Sequence, residues 1–361
     1  MPNHLPACLC LLLTVAGCVS TPIPQEPAPM PSSKALVIGH RGASALRPEH
    51  TLAAYAKAIE DGADMIEPDL VSTRDGVLIA RHENEISGTT NVALRPEFRS
   101  RKVTKVIDGE PVTGWFTEDF SLSELKTLRA RERLPELRST AFDGQFGIAT
   151  LDEIIALAAE ASVEHGRVIG LAPEIKHPSH FAALGLAMEN KLLAALRAHP
   201  HTRTAPVIIQ SFEIANLREL RGRIGGDSNI SLLQLCGRAD DHPYDTVIAG
   251  TPVRYGSMMT ADGLLDVAMY ADAIGPAYRD LSPMDGRSRL VDDAHAAGLK
   301  VIVYTFRPEN HFLDGVFRGE GGAAARHEAG SIAQIRAHLA LGIDAFFTDD
   351  PALGRQAVDG L

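Results

Sequence analysis

Apolar residues along this chain follow two periodicities in turn. Short, nearly continuous apolar runs rich in Val, Ile and Leu recur at ALVIGH (35–40), DMIEPDLV (64–71), RVIGLAPEIK (167–176), PVIIQSF (206–212), ISLLQLC (230–236), DAIGPAY (272–278), KVIVYTF (300–306) and DAFFTDD (344–350). Runs of this kind read as strands buried on both faces. Between them lie stretches with apolar residues at helical spacing: TLAAYAKAIEDGA, LDEIIALAAEAS, AALGLAMENKLLAALRAH, IANLRELRGRI, RLVDDAHAAG and IAQIRAHLALG. Eight strands separated by helices imply parallel pairing through right-handed crossovers, and eight is the number that closes a barrel. The pattern therefore predicts an α/β fold, a TIM (β/α)8 barrel. A doubly wound open sheet is the competing arrangement, but no Gly-rich dinucleotide fingerprint follows the first strand.

One pair of apolar runs breaks the alternation. In LVSTRDGVLIARHE, two apolar runs are joined by Arg74-Asp75-Gly76, and Asp-Gly is a strong hairpin signal. The second strand should extend beyond the barrel rim and fold back, returning His82 to the level of Glu67 and Asp69. Residues 84–147 contain no comparable strand set, only Pro and Gly punctuation, Trp115 and one helical piece, SLSELKTLRARER. They read as an insertion after strand two that caps the C-terminal face. A shorter polar insertion, PENHFLDGVFRGEGGAAARHEAG, precedes the last helical stretch, IAQIRAHLALG.

The N-terminus reads as a targeting segment. Leu5 to Ala16 is apolar but too short to span a bilayer, and Val15-Ala16-Gly17-Cys18 resembles the lipobox of bacterial lipoproteins. Residues 1–18 are then a signal peptide, Cys18 the lipidated mature N-terminus, and 19–34 a Pro-rich tether. The first residues carry no Lys or Arg, unlike most signal peptides, and an ordinary cleaved signal is the alternative. The expected location is periplasmic, with membrane contact only through the lipid. Cys236 would be the one cysteine left free, a buried strand residue, and no intrachain disulfide framework remains. The formal charge of −11 with no basic run argues against nucleic acid as substrate or partner.

Barrel enzymes carry their chemistry at the carboxyl ends of the strands. There the sequence places His40 and Arg41 on strand one, Glu67 and Asp69 on strand two, Glu174 and Lys176 on strand three, and Thr348-Asp349-Asp350 on strand eight. Glu67 and Asp69 share a face, because strand side chains alternate. Carboxylates forced together at low dielectric are tolerated mainly when a cation or proton neutralises them. Three oxygen donors suit Mg²⁺ or Ca²⁺ better than zinc. The alternative is a salt-bridge cluster with Arg41 and Lys176. Gly39 and Gly42 could let the backbone approach a metal or phosphate, or could simply be turn glycines. Trp115, Phe212, Tyr278 and Phe306 could line a pocket or merely pack.

The stretch GHRGASALRPEHTLAAYAKAIEDGADMIEPDLVSTRDGVLIARHE, followed by PEIK, QSF, YTF and FFTDDP, closely resembles the glycerophosphodiester phosphodiesterase family over residues 35–353. The exported members resemble it most, with a long insertion after HE and the IGP segment (274–276). The acid after the second histidine, often Asp in the family, is Glu83 here, a minor change. The resemblance implies a divalent cation and hydrolysis of small-molecule glycerophosphodiesters to glycerol 3-phosphate and an alcohol. It implies that His40 and His82 are the acid–base pair and that Glu67, Asp69 and Glu174 are metal ligands. Arg41 and Lys176 would contact phosphate, and Glu49 matches the acid of the family's PE-N/H-T element, although it could also serve only the helix that follows. The nucleophile would be the substrate's own neighbouring hydroxyl, giving a cyclic phosphate that water opens. The competing readings are a related barrel phospholipase acting on lysophospholipids and a non-catalytic lipoprotein.

Overall fold

Each apolar run becomes a strand in the computed structural model of the chain, which describes residues 34–225, 227, 229–281 and 288–360, together with 1 and 2. The signal peptide and the tether lie outside the described residues, except for their terminal positions. The strands are Leu36–His40, Met65–Glu67 continued by Asp69–Ser72, Gly170–Leu171 continued by Glu174–Ile175, Val207–Ser211, Ile230–Leu235, Ala273–Gly275, Lys300–Phe306 and Ala345–Thr348. Neighbours in sequence pair in parallel. The last strand then pairs with the first, Leu36 opposite Ala345 and Gly39 opposite Thr348, so the sheet closes into the predicted barrel.

Two apolar layers explain why these strands lack polar alternation. Ile38, Met65, Ala172, Ile208, Leu233 and Phe347 point inward and fill the barrel. Their neighbours Val37, Ile66, Leu171, Ile209, Leu232 and Phe346 point outward, beneath the helices. The helices bury one stripe each. In Leu151–Glu164 the buried residues are Leu151, Ile154, Ile155, Ala158 and Ala161, and Thr150 and Glu153 close a capping box at its start. The long stretch AALGLAMENKLLAALRAH is split between two helices, Pro178–Ala183 and Glu189–Ala198, around Gly185 at φ +72°. Pro351–Asp359, which carried no helical signal in the reading above, is a further helix, begun by Pro351 and capped by the Asp350 side chain.

The insertion differs from its sequence reading. It holds an antiparallel hairpin, Val103–Ile107 with Glu110–Gly114, turning at Asp108-Gly109. Only Leu122–Leu125 of SLSELKTLRARER is α-helical. No helix among the described residues is long and apolar enough to cross a membrane.

Candidate active site

Strand register brings the polar candidates to one level at the carboxyl end of the barrel. His40 lies opposite Glu67, Asp69 opposite Glu174, and Glu174 opposite Gln210. Pro68 interrupts the second strand between its two acids, and its carbonyl still accepts the N–H of Glu174 at 2.9 Å. Glu67, Asp69 and Glu174 are buried, and each offers an oxygen within 4.8 Å of the others. Burial and the charge of Asp69 raise Glu67 well above the usual carboxylate range. Burial pushes Glu174 up to about 8, with Asp69 adding to the rise and Lys176 opposing it. Asp69 is held well below the ordinary range, because His50 and Lys176 outweigh the burial that would raise it.

These residues fit a hard cation. Burial and mutual repulsion disfavour the charged forms of Glu67 and Glu174 unless something positive joins them, and Asp69 Oδ1 is buried with no hydrogen-bond partner. The salt-bridge alternative is partly present: Lys176 Nζ is 2.9 Å from Glu174 and Arg41 Nε is 3.3 Å from Asp69. Yet Arg41 is also claimed by Glu49 at 3.1 Å, and Glu67 receives only the Arg41 backbone N–H at 2.6 Å. Three cations, Arg41, Lys176 and the Arg133 that reaches Glu49, thus face four carboxylates.

Both predicted histidines line one cavity, together with Arg41, Glu67 and Glu174. His40 Nδ1 meets Asp349 Oδ1 at 2.5 Å, and Nε2 lies 3.5 Å from Thr305 Oγ1. His82 arrives on the predicted hairpin, where Leu70 faces Ala80 and the Arg81 N–H donates to Asp69 O at 2.9 Å. The buried Arg81 guanidinium donates to the carbonyls of Glu49 and His50, fixing this return strand. His82 Nε2 is 3.5 Å from Lys176 Nζ, while Glu83 Oε1 touches Nδ1 at 2.7 Å out of line with a hydrogen bond. Burial, then the charge of Arg41, lowers His40 to about 4; burial, Arg41 and Lys176 lower His82 to about 3. Both rings are neutral near pH 7.

Other candidates fall elsewhere. Phe212 lines the cavity, joined by Tyr304 and Phe347. Trp115 instead packs within the insertion and donates to Phe98 O at 2.7 Å, and Tyr278 stacks on Phe306 at 4.8 Å away from the cavity. A Cβ on Gly42 would fall 2.5 Å from the Ala54 backbone, so this glycine, at φ +88°, admits the helix Leu52–Glu60. Glu49 is not a helix cap, which Thr51 supplies; it sits behind Arg41 and is held there by Arg133 at 2.9 Å. Burial opposes its ionisation, but Arg41 and Arg133 hold it below the usual range.

Several site residues escaped the sequence reading. His50, inside the quoted PEHT, bridges Asp69 Oδ2 at 2.9 Å and the Tyr55 hydroxyl at 2.8 Å. Asp349 was visible only as a strand end. Arg133 and Arg138 of the insertion reach Glu49 and Asp349, and no local signal could place them. A wider cleft adjoins the cavity and shares Glu174 and Phe212; it is lined by charged groups such as Asp108, Glu110, Glu213 and Asp241 as well as by Tyr244 and Tyr255.

Residues 40–353 match the model of the glycerophosphoryl diester phosphodiesterase family. The chain is 35% identical over 332 residues to a glycerophosphodiester phosphodiesterase of Arabidopsis thaliana, covering 84% of this chain and 85% of the relative. It is 29% identical over 282 residues to one of Haemophilus influenzae, covering 73% and 74%. A solved structure from Silicibacter pomeroyi superposes with a TM-score of 0.62 at 22% identity, over 92% of this chain and 95% of that one. An Oleispira antarctica phosphodiesterase, in complex with the product sn-glycerol 3-phosphate, does so at 0.56 and 20% identity, over 90% and 97%. These structural likenesses speak to the barrel alone.

Proposed function

Because the chain belongs to the glycerophosphoryl diester phosphodiesterase family and is a phosphoric diester hydrolase, we propose that this cavity cleaves glycerophosphodiesters by proton transfer between His40 and His82. The observation that carries the reading is the meeting of both imidazoles with Glu67, Asp69 and Glu174 at one rim. When bound at those three carboxylates, Ca²⁺ or Mg²⁺ supplies charge neutralisation at a nonbridging phosphate oxygen. Arg41 and Lys176 orient the phosphate and offset the charge that builds in the transition state.

The substrate's neighbouring glycerol hydroxyl attacks phosphorus while one imidazole takes its proton. The second imidazole gives a proton to the departing alcohol oxygen as the P–O bond breaks. Water then opens the cyclic phosphate with the two rings exchanging roles, leaving glycerol 3-phosphate. Burial and the neighbouring cations keep both rings unprotonated near neutrality, as a base requires. A bound phosphate offsets the charge of Arg41 and Lys176 and so makes protonation of the partner ring easier. The acids of the adjoining cleft, Asp108, Glu110, Glu213 and Asp241, support a polar head group.

The test is coupled detection of glycerol 3-phosphate from glycerophosphocholine, set against product release from lysophosphatidylcholine. Wild type should turn over the first far faster. His40→Ala and His82→Ala should each lose at least about 10³-fold in kcat with the fold retained. Faster turnover of the lysophospholipid, or normal activity in both variants, would overturn the reading. The apolar run Leu5–Ala16, Gly17-Cys18 and the Pro-rich stretch after them further support an exported, periplasmic enzyme lipidated at Cys18. Cys18→Ser should then shift the enzyme from the membrane to the soluble fraction; an unchanged distribution would count against the anchor.

A further inference from the structure

Behind His40 stands a group of largely buried charges. Asp349 is almost fully buried, and both its carboxylate oxygens are engaged. Oδ1 meets His40 Nδ1 at 2.5 Å; Oδ2 receives Arg138 Nη2 at 2.6 Å and Arg307 Nε at 3.0 Å. The backbone is pinned as well, since the Asp349 N–H donates to Phe306 O and its carbonyl accepts from Ala45, both at 3.0 Å. The Arg138 side chain is also largely withdrawn from solvent. Its Nε donates to Glu309 at 2.7 Å and its Nη1 to Ser44 O at 3.0 Å, and the Ser44 hydroxyl donates to His40 O at 2.9 Å. Two carboxylates therefore face two guanidinium groups and their charges balance, although Arg307 also lines the cavity.

From this arrangement we infer that Asp349 is a positioning residue for His40, and that Arg138, contributed by the insertion, is a positioning residue acting through Asp349. An ionised carboxylate can only accept, so the imidazole proton sits on Nδ1 and the Nε2 lone pair faces the cavity. The same contact stabilises the imidazolium that forms when Nε2 takes a proton. An asparagine at 349 could donate its amide N–H to Nδ1, place the ring proton on Nε2 and silence the base. Arg138 and Arg307 hold the carboxylate ionised against the burial that would protonate it. Residues 84–147 place no side chain on the cavity wall. Through Arg138 they nonetheless reach the orientation of an imidazole that does line it.

The inference rests on the reading of His40 as one of the acid–base pair, and the test separates the two. In ¹⁵N spectra assigned by His40→Gln, wild-type His40 should be neutral with its proton on Nδ1, and Asp349→Asn should move the proton to Nε2. Asp349→Asn should lower kcat on glycerophosphocholine by about 10²-fold or more with KM within about threefold of wild type. Arg138→Met should lose about tenfold in kcat, and Arg138→Lys should recover part of it. A purely structural ion pair would change thermal stability and leave the tautomer and kcat alone. A wild-type ring protonated on Nε2, or an Asp349→Asn kcat within about threefold of wild type, would overturn the inference. The wild-type spectrum decides even if a variant fails to fold. A wild type without diesterase activity would defeat the functional reading, while the spectrum would still report on the contact.

Discussion

His40 and His82 face the same cavity from different kinds of support. His40 ends a barrel strand, with its Nδ1 on a carboxylate shielded from solvent and braced by two arginines. His82 rides on a hairpin folded back from the rim, and its companion Glu83 is half exposed and shared with His177 at 3.1 Å. In the first case low dielectric and full pairing fix both ring and tautomer; in the second, water screens the contact and the geometry is looser. Two groups with similar proposed chemistry can thus depend on their surroundings to very different degrees.

The largest expected effect treats the two alike, since truncating either imidazole should cost the same order of magnitude in kcat. A large gap between the two alanine variants would break the pairing of their roles. The supports should then part company. Glu83→Gln should lower kcat by no more than about tenfold, well short of Asp349→Asn. Equal losses in the two variants would erase the contrast drawn between the rings.

Between the histidines, the acid cluster gives a pH signature. With no cation bound, Glu174 carries a proton up to about 8, whereas its ordinary value is 4.5. The native state therefore binds more protons than the unfolded chain between those values, and stability falls as pH rises through that window. A cation removes the repulsion, so the gain in thermal midpoint on adding Ca²⁺ or Mg²⁺ should be larger at pH 8 than at pH 6. Equal gains would show that the acids are not the binding group.

The smallest effect concerns the looser side. His177 is raised to about 9, because Asp108 and Glu83 outweigh the burial that would lower it. A raised histidine contributes stability that is complete below its ordinary value of 6.5 and is lost as pH rises through about 9. Asp108→Asn keeps a residue tolerant of the left-handed turn and removes the charge. It should cost about 1–2 kcal/mol at pH 6 and nearly nothing above pH 9, read by thermal unfolding at each pH. A cost independent of pH would leave the clamp without its charge.

Much of this was legible in the chain. Strands buried on both faces announce themselves as apolar runs, and acids at i and i+2 in such a run must share a face, so His40, Glu67, Asp69 and Glu174 could be gathered before any coordinates. Asp75-Gly76 likewise foretold the hairpin that returns His82. What escaped was non-local or weakly patterned. Arg138 meets Asp349 across 211 residues of sequence, a contact set by the path of the insertion rather than by any periodicity. The hairpin at Asp108-Gly109 was missed because most of Val103–Ile107 and Glu110–Gly114 is exposed, so no buried alternation marks it. Trp115, left open between a pocket and a packing role, finds its partner inside the insertion.

Hydrolysis at this rim, with a divalent cation held by three strand carboxylates, is tested most directly by chelation and rescue. Wild type and Asp69→Asn, both stripped of metal, would be assayed for glycerol 3-phosphate release from glycerophosphocholine as Ca²⁺ or Mg²⁺ is titrated back. Wild type should fall silent and then recover in full, and Asp69→Asn should stay silent over the same range. Undiminished turnover by wild type in excess chelator would contradict the account.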